Sequence, residues 1–313
     1  MADVVISEFM DQEAVARLAE RWSTDYNPAL VDQRDLLTAR LKDARALIVR
    51  NRTRVDRPLI EQSPKLRVVG RLGVGLDNID LAACAERDIA VCPARGANEA
   101  TVAEYVITAA LLLLRGAFQT KDAVIAGAWP REASIGREIA GKRLGLIGFG
   151  ANARETAKRG LALGIHVAAY DPFVPDDDVA WGSVRPASLP DILRHSDVVS
   201  LHVPLTDATR RIVDRAAIAA MQPGAVLINA ARGGLLDEEA LVEALTQGHL
   251  AGAALDTFEQ EPLDAEAGRR FAGVPNLLLT PHIAGVTEES NRRVSLVTAD
   301  NVARVLDSLP QSD

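Results

Sequence analysis

The stretch "GKRLGLIGFGANARETAKRGLALGIHVAAYD", residues 141–171, leaves this chain few choices of fold. A strand-like apolar run, Arg143–Ile147, meets glycines at 148 and 150, and a helical pattern follows over 153–163. A second strand-like run then ends in Asp171. The same alternation continues on both sides of it. Further strand-like runs are "ALIVR" (46–50), "LRVVGRLG" (66–73), "AVCP" (90–93), "DVVSLHVP" (197–204), "AVLINAA" (225–231), "AGAALD" (251–256) and "NLLLTPH" (276–282), with helical patterns between most of them. Strands alternating with helices predict an α/β protein built on doubly wound parallel sheets covered by helices.

At 313 residues the chain is too long for one ordinary core, and two domains are expected. The run 98–115, "NEATVAEYVITAALLLLR", is apolar on nearly every face after its first turn, which predicts a buried helix at the crossing between them. The formal net charge of −8 argues against a general affinity for nucleic acid or an anionic membrane surface. An anionic ligand would need a local basic pocket. Cys84 and Cys92 lack CxxC spacing and nearby histidines, so neither a disulfide framework nor a metal site is expected. The first apolar run carries acids, and no stretch reaches the roughly 18 apolar residues of a membrane span. A reducing, cytoplasmic setting fits these features.

The glycine turn has a chemical reading. Gly148 permits a tight turn, Gly150 lets the backbone approach a pyrophosphate, and the helix start at Ala151, Asn152 and Ala153 offers unpaired N–H groups to negative charge. Such a pattern alone also suits an ordinary turn. Asp171 decides between the two, because it lies 23 positions beyond Gly148, close to the spacing of an acid that hydrogen-bonds an adenosine ribose. Its charge repels a 2′-phosphate, and Pro172 and Phe173 supply no cation to offset that, so NAD is expected rather than NADP.

Of the five histidines, His166, His195 and His249 stand at element ends that suit structural or surface roles. His202 and His282 lie near the carboxyl ends of strands, where ligands bind in open α/β sheets. In "LINAARGGLLDEEAL" (227–241), Arg232 follows a strand in the same way, and Asp237 is positioned to cap the next helix.

Taken together, "GRLGVGLDNID" (70–80), "GFGANA" (148–153), "INAARGGLLDEEAL" (228–241), "ALDTFEQEPL" (254–263) and "LTPHIAG" (279–285) resemble the D-isomer-specific 2-hydroxyacid dehydrogenase family, in its order and over nearly the whole chain. The resemblance implies a discontinuous substrate domain, 1–97 plus 286–313, and an NAD-binding Rossmann domain, 98–285. It implies that Arg232 holds the substrate carboxylate, that His282 carries the proton, and that Glu261, rather than its neighbour Glu259, orients the imidazole and favours its charged form. Cofactor contacts would come from Thr101, Phe149 in the glycine turn, His202, Pro204, Thr209, Ala230, Ala231, Arg232, Asp256, His282, Ala284 and Gly285. Asp256 would meet the nicotinamide carboxamide, while a purely structural role stays open for His202.

Within the same resemblance, Arg50, Asn51 and Arg52 look like the phosphate-binding loop of phosphoglycerate dehydrogenases, and backbone amides at Val74 and Gly75 would help hold the substrate carboxylate. A substrate with a second anion, 3-sulfolactate or 3-phosphoglycerate, is implied. Hydroxypyruvate or glyoxylate reduction is the alternative, and an NAD-sensing interaction protein is the reading of another class. The sequence ends soon after its last helix, over about 287–309, so the regulatory tail of many phosphoglycerate dehydrogenases is not expected. The segment 116–142 resembles the family's dimer-forming arm and implies a homodimer.

Overall fold

In the computed structural model, which describes residues 2–309, the chain forms two compact units. One gathers the chain through Asn98 with the chain from Val286, and the other holds Glu99–Gly285.

The first unit is a sheet of five strands, β1 (Val4–Ile6), β2 (Thr24–Tyr26), β3 (Ala46–Val49), β4 (Val68–Arg71) and β5 (Ala90–Pro93), in the order β2-β1-β3-β4-β5 and parallel throughout. Alternate residues point to opposite faces, as the pleat requires. Val5, Leu47, Val49 and Val69 pack beneath α2 (Arg34–Leu41), α3 (Arg57–Glu61) and α4 (Leu81–Glu86). Val4, Ile6, Ile48 and Val68 face α1 (Gln12–Ala19) and the final helix α12 (Glu288–Ser308). Burial on both faces is why these strands read as continuous apolar runs. The final helix settles on β4 at Gly70, where a Cβ would stand 2.6 Å from Val302 and 2.9 Å from Thr298.

The second unit is a sheet of seven parallel strands: β6 (Arg143–Ile147), β7 (His166–Tyr170), β8 (Arg185–Pro186), β9 (Val198–Leu201), β10 (Val226–Asn229), β11 (Gly252–Leu255) and β12 (Leu277–Leu279), in the order β12-β11-β10-β9-β6-β7-β8. One face carries α8 (Leu189–His195), α9 (Arg215–Ala220) and α10 (Glu238–Thr246), and the other carries α5 (Glu99–Arg115) and α7 (Ala151–Ala162). Two short helices complete the unit, α6 (Lys121–Ile125) and α11 (Ala265–Gly268).

Three strands departed from the sequence reading. β1 is only three residues long, and β2 and β8 are sheet edges whose Thr-Asp-Tyr and Arg-Pro sequences carry no apolar alternation. The α5 helix also differs from the expectation of a helix buried all round. Glu104, Thr108, Leu111 and Arg115 form one exposed stripe at helical spacing, with Leu111 40% exposed. No single helix among the described residues is long and apolar enough to cross a membrane.

Candidate active site

Because β6 lies between β7 and β9, the chain reverses its direction of travel across the sheet there, and the loops after β6 and β9 flank the crevice that such a reversal opens. Gly148 turns the chain at φ +94°, and a Cβ on it would stand 2.8 Å from the His202 carbonyl. Only glycine serves at such a position. Gly150 caps α7 with no side-chain hydrogen bond, whereas Asp237 caps α10 and Thr287 caps α12 with their own oxygens. A Cβ at Gly150 would meet nothing within 4 Å. The first turn of α7, with Ala151, Asn152 and the buried Ala153, therefore keeps its N–H groups for an outside anion, as a pyrophosphate requires.

Asp171 stands at the carboxyl end of β7 and accepts the N–H groups of Phe149 at 2.8 Å and Phe173 at 3.0 Å. Two backbone bonds fix a carboxylate that still has lone pairs for ribose hydroxyls. Phe149 differs from the expectation of a cofactor contact. Its ring is 2% exposed, stacks on Trp181 at 4.5 Å, and lies under the Arg154 guanidinium at 5.2 Å. The residue between the two glycines thus faces the core, and its amide serves Asp171.

After β9, His202 Nε2 lies 2.9 Å from Ser200 Oγ, and burial pushes the imidazole down to about 4. Thr209 Oγ1 donates to the Pro204 carbonyl at 2.6 Å and accepts from Thr206 N at 2.8 Å, so Thr209 closes the loop on itself. Thr101 is buried in the first turn of α5. A histidine whose folded pKa is depressed binds fewer protons than the unfolded chain between about pH 6.5 and its folded value, so folding stability falls as pH drops through that window. The expected result is a melting temperature that declines from pH 6.5 towards 4 and declines less steeply in His202→Asn, measured by thermal scans across that range.

Arg232 lies on the loop after β10. Its backbone carbonyl accepts from Asn229 Nδ2 at 2.8 Å, and its Nη1 donates to the Ala231 carbonyl at 2.6 Å. Ala230 and Ala231 lie half-buried beside it. The glycines that follow have a specific task. A Cβ on Gly233 would stand 1.8 Å from the Phe258 carbonyl oxygen and 2.5 Å from Glu259 N, so the arginine loop rides directly on the Phe258–Glu259 peptide.

Glu261 Oε2 meets His282 Nδ1 at 2.7 Å, and its Oε1 accepts the Phe258 N–H at 3.0 Å. Burial favours the protonated carboxyl, but the hydrogen bond and charge of His282, the Phe258 amide and the charge of Arg232 outweigh it and hold Glu261 below the usual carboxylate range. The competing acid is accounted for elsewhere: Glu259 pairs with Arg211 at 3.4 Å. Arg232, Glu261 and His282 are thus brought to one place by the ends of β10, β11 and β12. With Nδ1 held by Glu261, the remaining imidazole nitrogen, Nε2, is available to a reacting hydroxyl or carbonyl.

Asp256 also departs from the sequence reading. Its side chain is 0% exposed, with Oδ1 accepting from Thr280 Oγ1 at 2.7 Å and Ile283 N at 2.8 Å, and Oδ2 accepting from Ala284 N at 2.8 Å. Tyr105 extends this network to Thr280 at 2.6 Å. Both oxygens shape the 280–285 turn, which ends at Ala284 and Gly285 and holds His282 at φ +56°. A left-handed histidine persists only where its surroundings fix it.

In the first unit the reversal point lies between β1 and β3, and the loops after these two strands carry Glu8 and Arg50–Arg52. Glu8 is 5% exposed, and its carboxylate accepts the N–H groups of Arg50 at 2.7 Å, Thr53 at 2.9 Å and Arg52 at 3.2 Å. The bend around Glu8 sends the two arginines to different partners. Arg50 Nη2 reaches Asn291 Oδ1 on α12 at 2.8 Å, whereas Arg52 pairs with Asp32 on the opposite side of the sheet, and Asn51 is exposed. Burial lowers the Arg50 pKa, opposed by the charge of Glu8. Among the described residues the amides of Val74 and Gly75 donate to no acceptor. Glu8 and Asn291 were missed in the sequence. Glu8 had one signal, an acid directly after the first apolar run; Asn291 had none.

The model of the D-isomer specific 2-hydroxyacid dehydrogenase NAD-binding domain matches residues 107–284. The chain belongs to the D-isomer-specific 2-hydroxyacid dehydrogenase family. It is an NAD-dependent oxidoreductase of 2-hydroxy acids. Among curated relatives, an (S)-sulfolactate dehydrogenase from Chromohalobacter salexigens is 55% identical over 98% of this chain and 99% of its own length. A hydroxypyruvate reductase from Thermotoga maritima is 36% identical over 97% and 98% respectively. The crystal structure of a D-lactate dehydrogenase from Aquifex aeolicus, complexed with NAD and lactic acid, superposes with a TM-score of 0.85 at 27% identity, covering 97% of this chain and 95% of that one.

Proposed function

We propose that the substrate is a 2-hydroxy acid bearing a second anionic group, and that it is 3-sulfolactate. The observation that carries this reading is Arg50. It stands at the reversal point of its sheet, it is partly desolvated, and among the described residues its guanidinium meets a neutral amide oxygen and no carboxylate. A partly desolvated guanidinium that is not ion-paired attracts an anion. Arg52 is already neutralised by Asp32 and takes no part.

The stereochemistry is consistent. In 3-sulfolactate the sulfonomethyl group outranks the carboxylate, so the arrangement called D in lactate carries the label S. The 55% identical relative named for (S)-sulfolactate thus fits a D-specific family. The 36% identical hydroxypyruvate reductase favours a second reading, reduction of a singly charged keto acid.

When bound, NAD supplies the acceptor or donor of the hydride at substrate C2. Gly148, Gly150, the first turn of α7 and Asp171 would hold its pyrophosphate and ribose. Arg232 holds the substrate carboxylate with charge-assisted bonds and polarises the carbonyl. His282 Nε2 takes the hydroxyl proton as C2 is oxidised and returns it in reduction, while Glu261 keeps the ring in place and balances its charge.

The test compares 3-sulfolactate, 3-phosphoglycerate and D-glycerate. Arg50→Ala is expected to raise KM for 3-sulfolactate roughly 10- to 100-fold, the loss of one hydrogen bond to a charged group, with D-glycerate little changed. Arg52→Ala should stay within about threefold. Equal loss on all three acids in Arg50→Ala, or a wild type that prefers D-glycerate, would overturn the reading.

A homodimer is part of the proposal. Phe118, Ile125, Trp129 and Ile135 are each at least 74% exposed within 116–142, a concentration of apolar surface that calls for cover by a second copy. The unbridged Cys84 and Cys92 support a reducing, cytoplasmic setting.

A further inference from the structure

Behind the Glu261 loop lies a buried carboxylate with no role so far. Glu238 opens α10 one residue after the Asp237 cap and is 2% exposed. Acids are almost never sealed at such depth unless partners fix them. Glu238 has two: Oε1 accepts the backbone N–H of Glu259 at 2.7 Å, and Oε2 meets Arg270 Nη1 at 3.1 Å. Arg270 is held in turn, its Nε donating to the Ala267 carbonyl at 3.1 Å and its guanidinium lying 5.9 Å from the Phe271 ring. Burial pushes the Glu238 carboxyl up, and the Glu259 amide and Arg270 draw it back.

A buried ion pair is a poor source of stability, since apolar side chains of similar volume often do as well or better. Its rigid geometry matters more for what it holds. Gly233, from the Arg232 loop, packs against the Phe258–Glu259 peptide, and Glu238 takes the N–H of that same peptide. The peptide is therefore gripped twice. Two residues farther on, Glu261 places one oxygen on the Phe258 amide and the other on His282. The position of the imidazole thus traces back, through three hydrogen bonds, to Glu238.

We propose that Glu238, braced by Arg270, is a positioning residue for proton transfer: it fixes the loop that aims Glu261 at His282, and so sets turnover without touching substrate or NAD. This rests on the acid–base roles of Glu261 and His282 given above.

The test uses the full chain with Glu238→Ala and Glu238→Gln, each alone and combined with Glu261→Gln, assayed for kcat and for KM of NAD on whichever of 3-sulfolactate and D-glycerate the wild type turns over faster. Glu238→Ala is expected to lower kcat about 10- to 100-fold, the range found when a group that orients a functional side chain is lost, with KM for NAD within about twofold. Glu238→Gln should recover most of that loss, because its amide oxygen still accepts the Glu259 N–H. In the Glu261→Gln background Glu238→Ala should add less than about threefold, since the group it places is already gone. Should Glu238→Ala fail to fold, Arg270→Met carries the same comparison with Glu238 present but unbraced.

A folded Glu238→Ala enzyme with wild-type kcat, or one whose loss multiplies fully with that of Glu261→Gln, overturns the proposal. Wild-type turnover in Glu261→Gln itself would instead sink the acid–base reading, and this inference with it.

Discussion

Replacing His282 with alanine is expected to lower turnover roughly 10²- to 10⁴-fold, the usual contribution of a positioned general acid–base group. The imidazole has one nitrogen on Glu261 at 2.7 Å, and only the other can reach a substrate oxygen. Without it the proton of the C2 hydroxyl has no acceptor at hand when the hydride leaves. NAD affinity, read by protein fluorescence titration, should change far less than turnover, because the glycine turn and Asp171 are built by the ends of β6 and β7. Turnover within threefold of wild type would remove His282 from the reaction.

Replacing Arg232 with lysine is expected to reduce kcat/KM by roughly 10²-fold or more, comparable to the loss of a preorganised donor at a developing oxyanion. Lysine keeps the charge but loses the planar pair of N–H groups that matches a carboxylate. A second consequence follows from electrostatics. The charge of Arg232 helps hold Glu261 ionised, and a lysine that places its ammonium elsewhere gives up part of that help. The acid limb of the kcat/KM profile should therefore move to higher pH in Arg232→Ala, because Glu261 would then take up a proton more readily. An unshifted limb together with undiminished kcat/KM would separate Arg232 from both roles.

The parts of the fold that were legible are those written in apolar runs. β3, β4, β6, β9, β10 and β11 lie inside their sheets and are almost wholly buried, so their sequences are largely apolar. β2 and β8 lie at edges and needed no such run, and nothing local distinguishes Arg185–Pro186 from a turn. In the site, the residues attached to strand ends by short loops were readable: Arg232, Asp171 and His282 follow their strands by one to three positions. The side chains that differ from the sequence reading share a physical cause. Arg52, Asp256 and Phe149 have side-chain directions set by hydrogen bonds and stacking with distant residues, Asp32, Thr280 and Trp181, which no spacing encodes. Glu238 stood in plain view within "LLDEEAL", where it reads as a solvated acid of a first helical turn until Glu259 and Arg270 close over it.

The seating of α12 on Gly70 has a consequence for how the protein is made. Val4, Ile6, Ile48 and Val68 are translated before the nucleotide unit, yet the final helix that packs on them is translated after it. The part of that sheet face beyond α1 must stay uncovered throughout synthesis of the nucleotide unit, which has every strand and covering helix it needs once residue 285 has emerged. Nascent chains stalled before residue 288 are where a holding chaperone would find its footing.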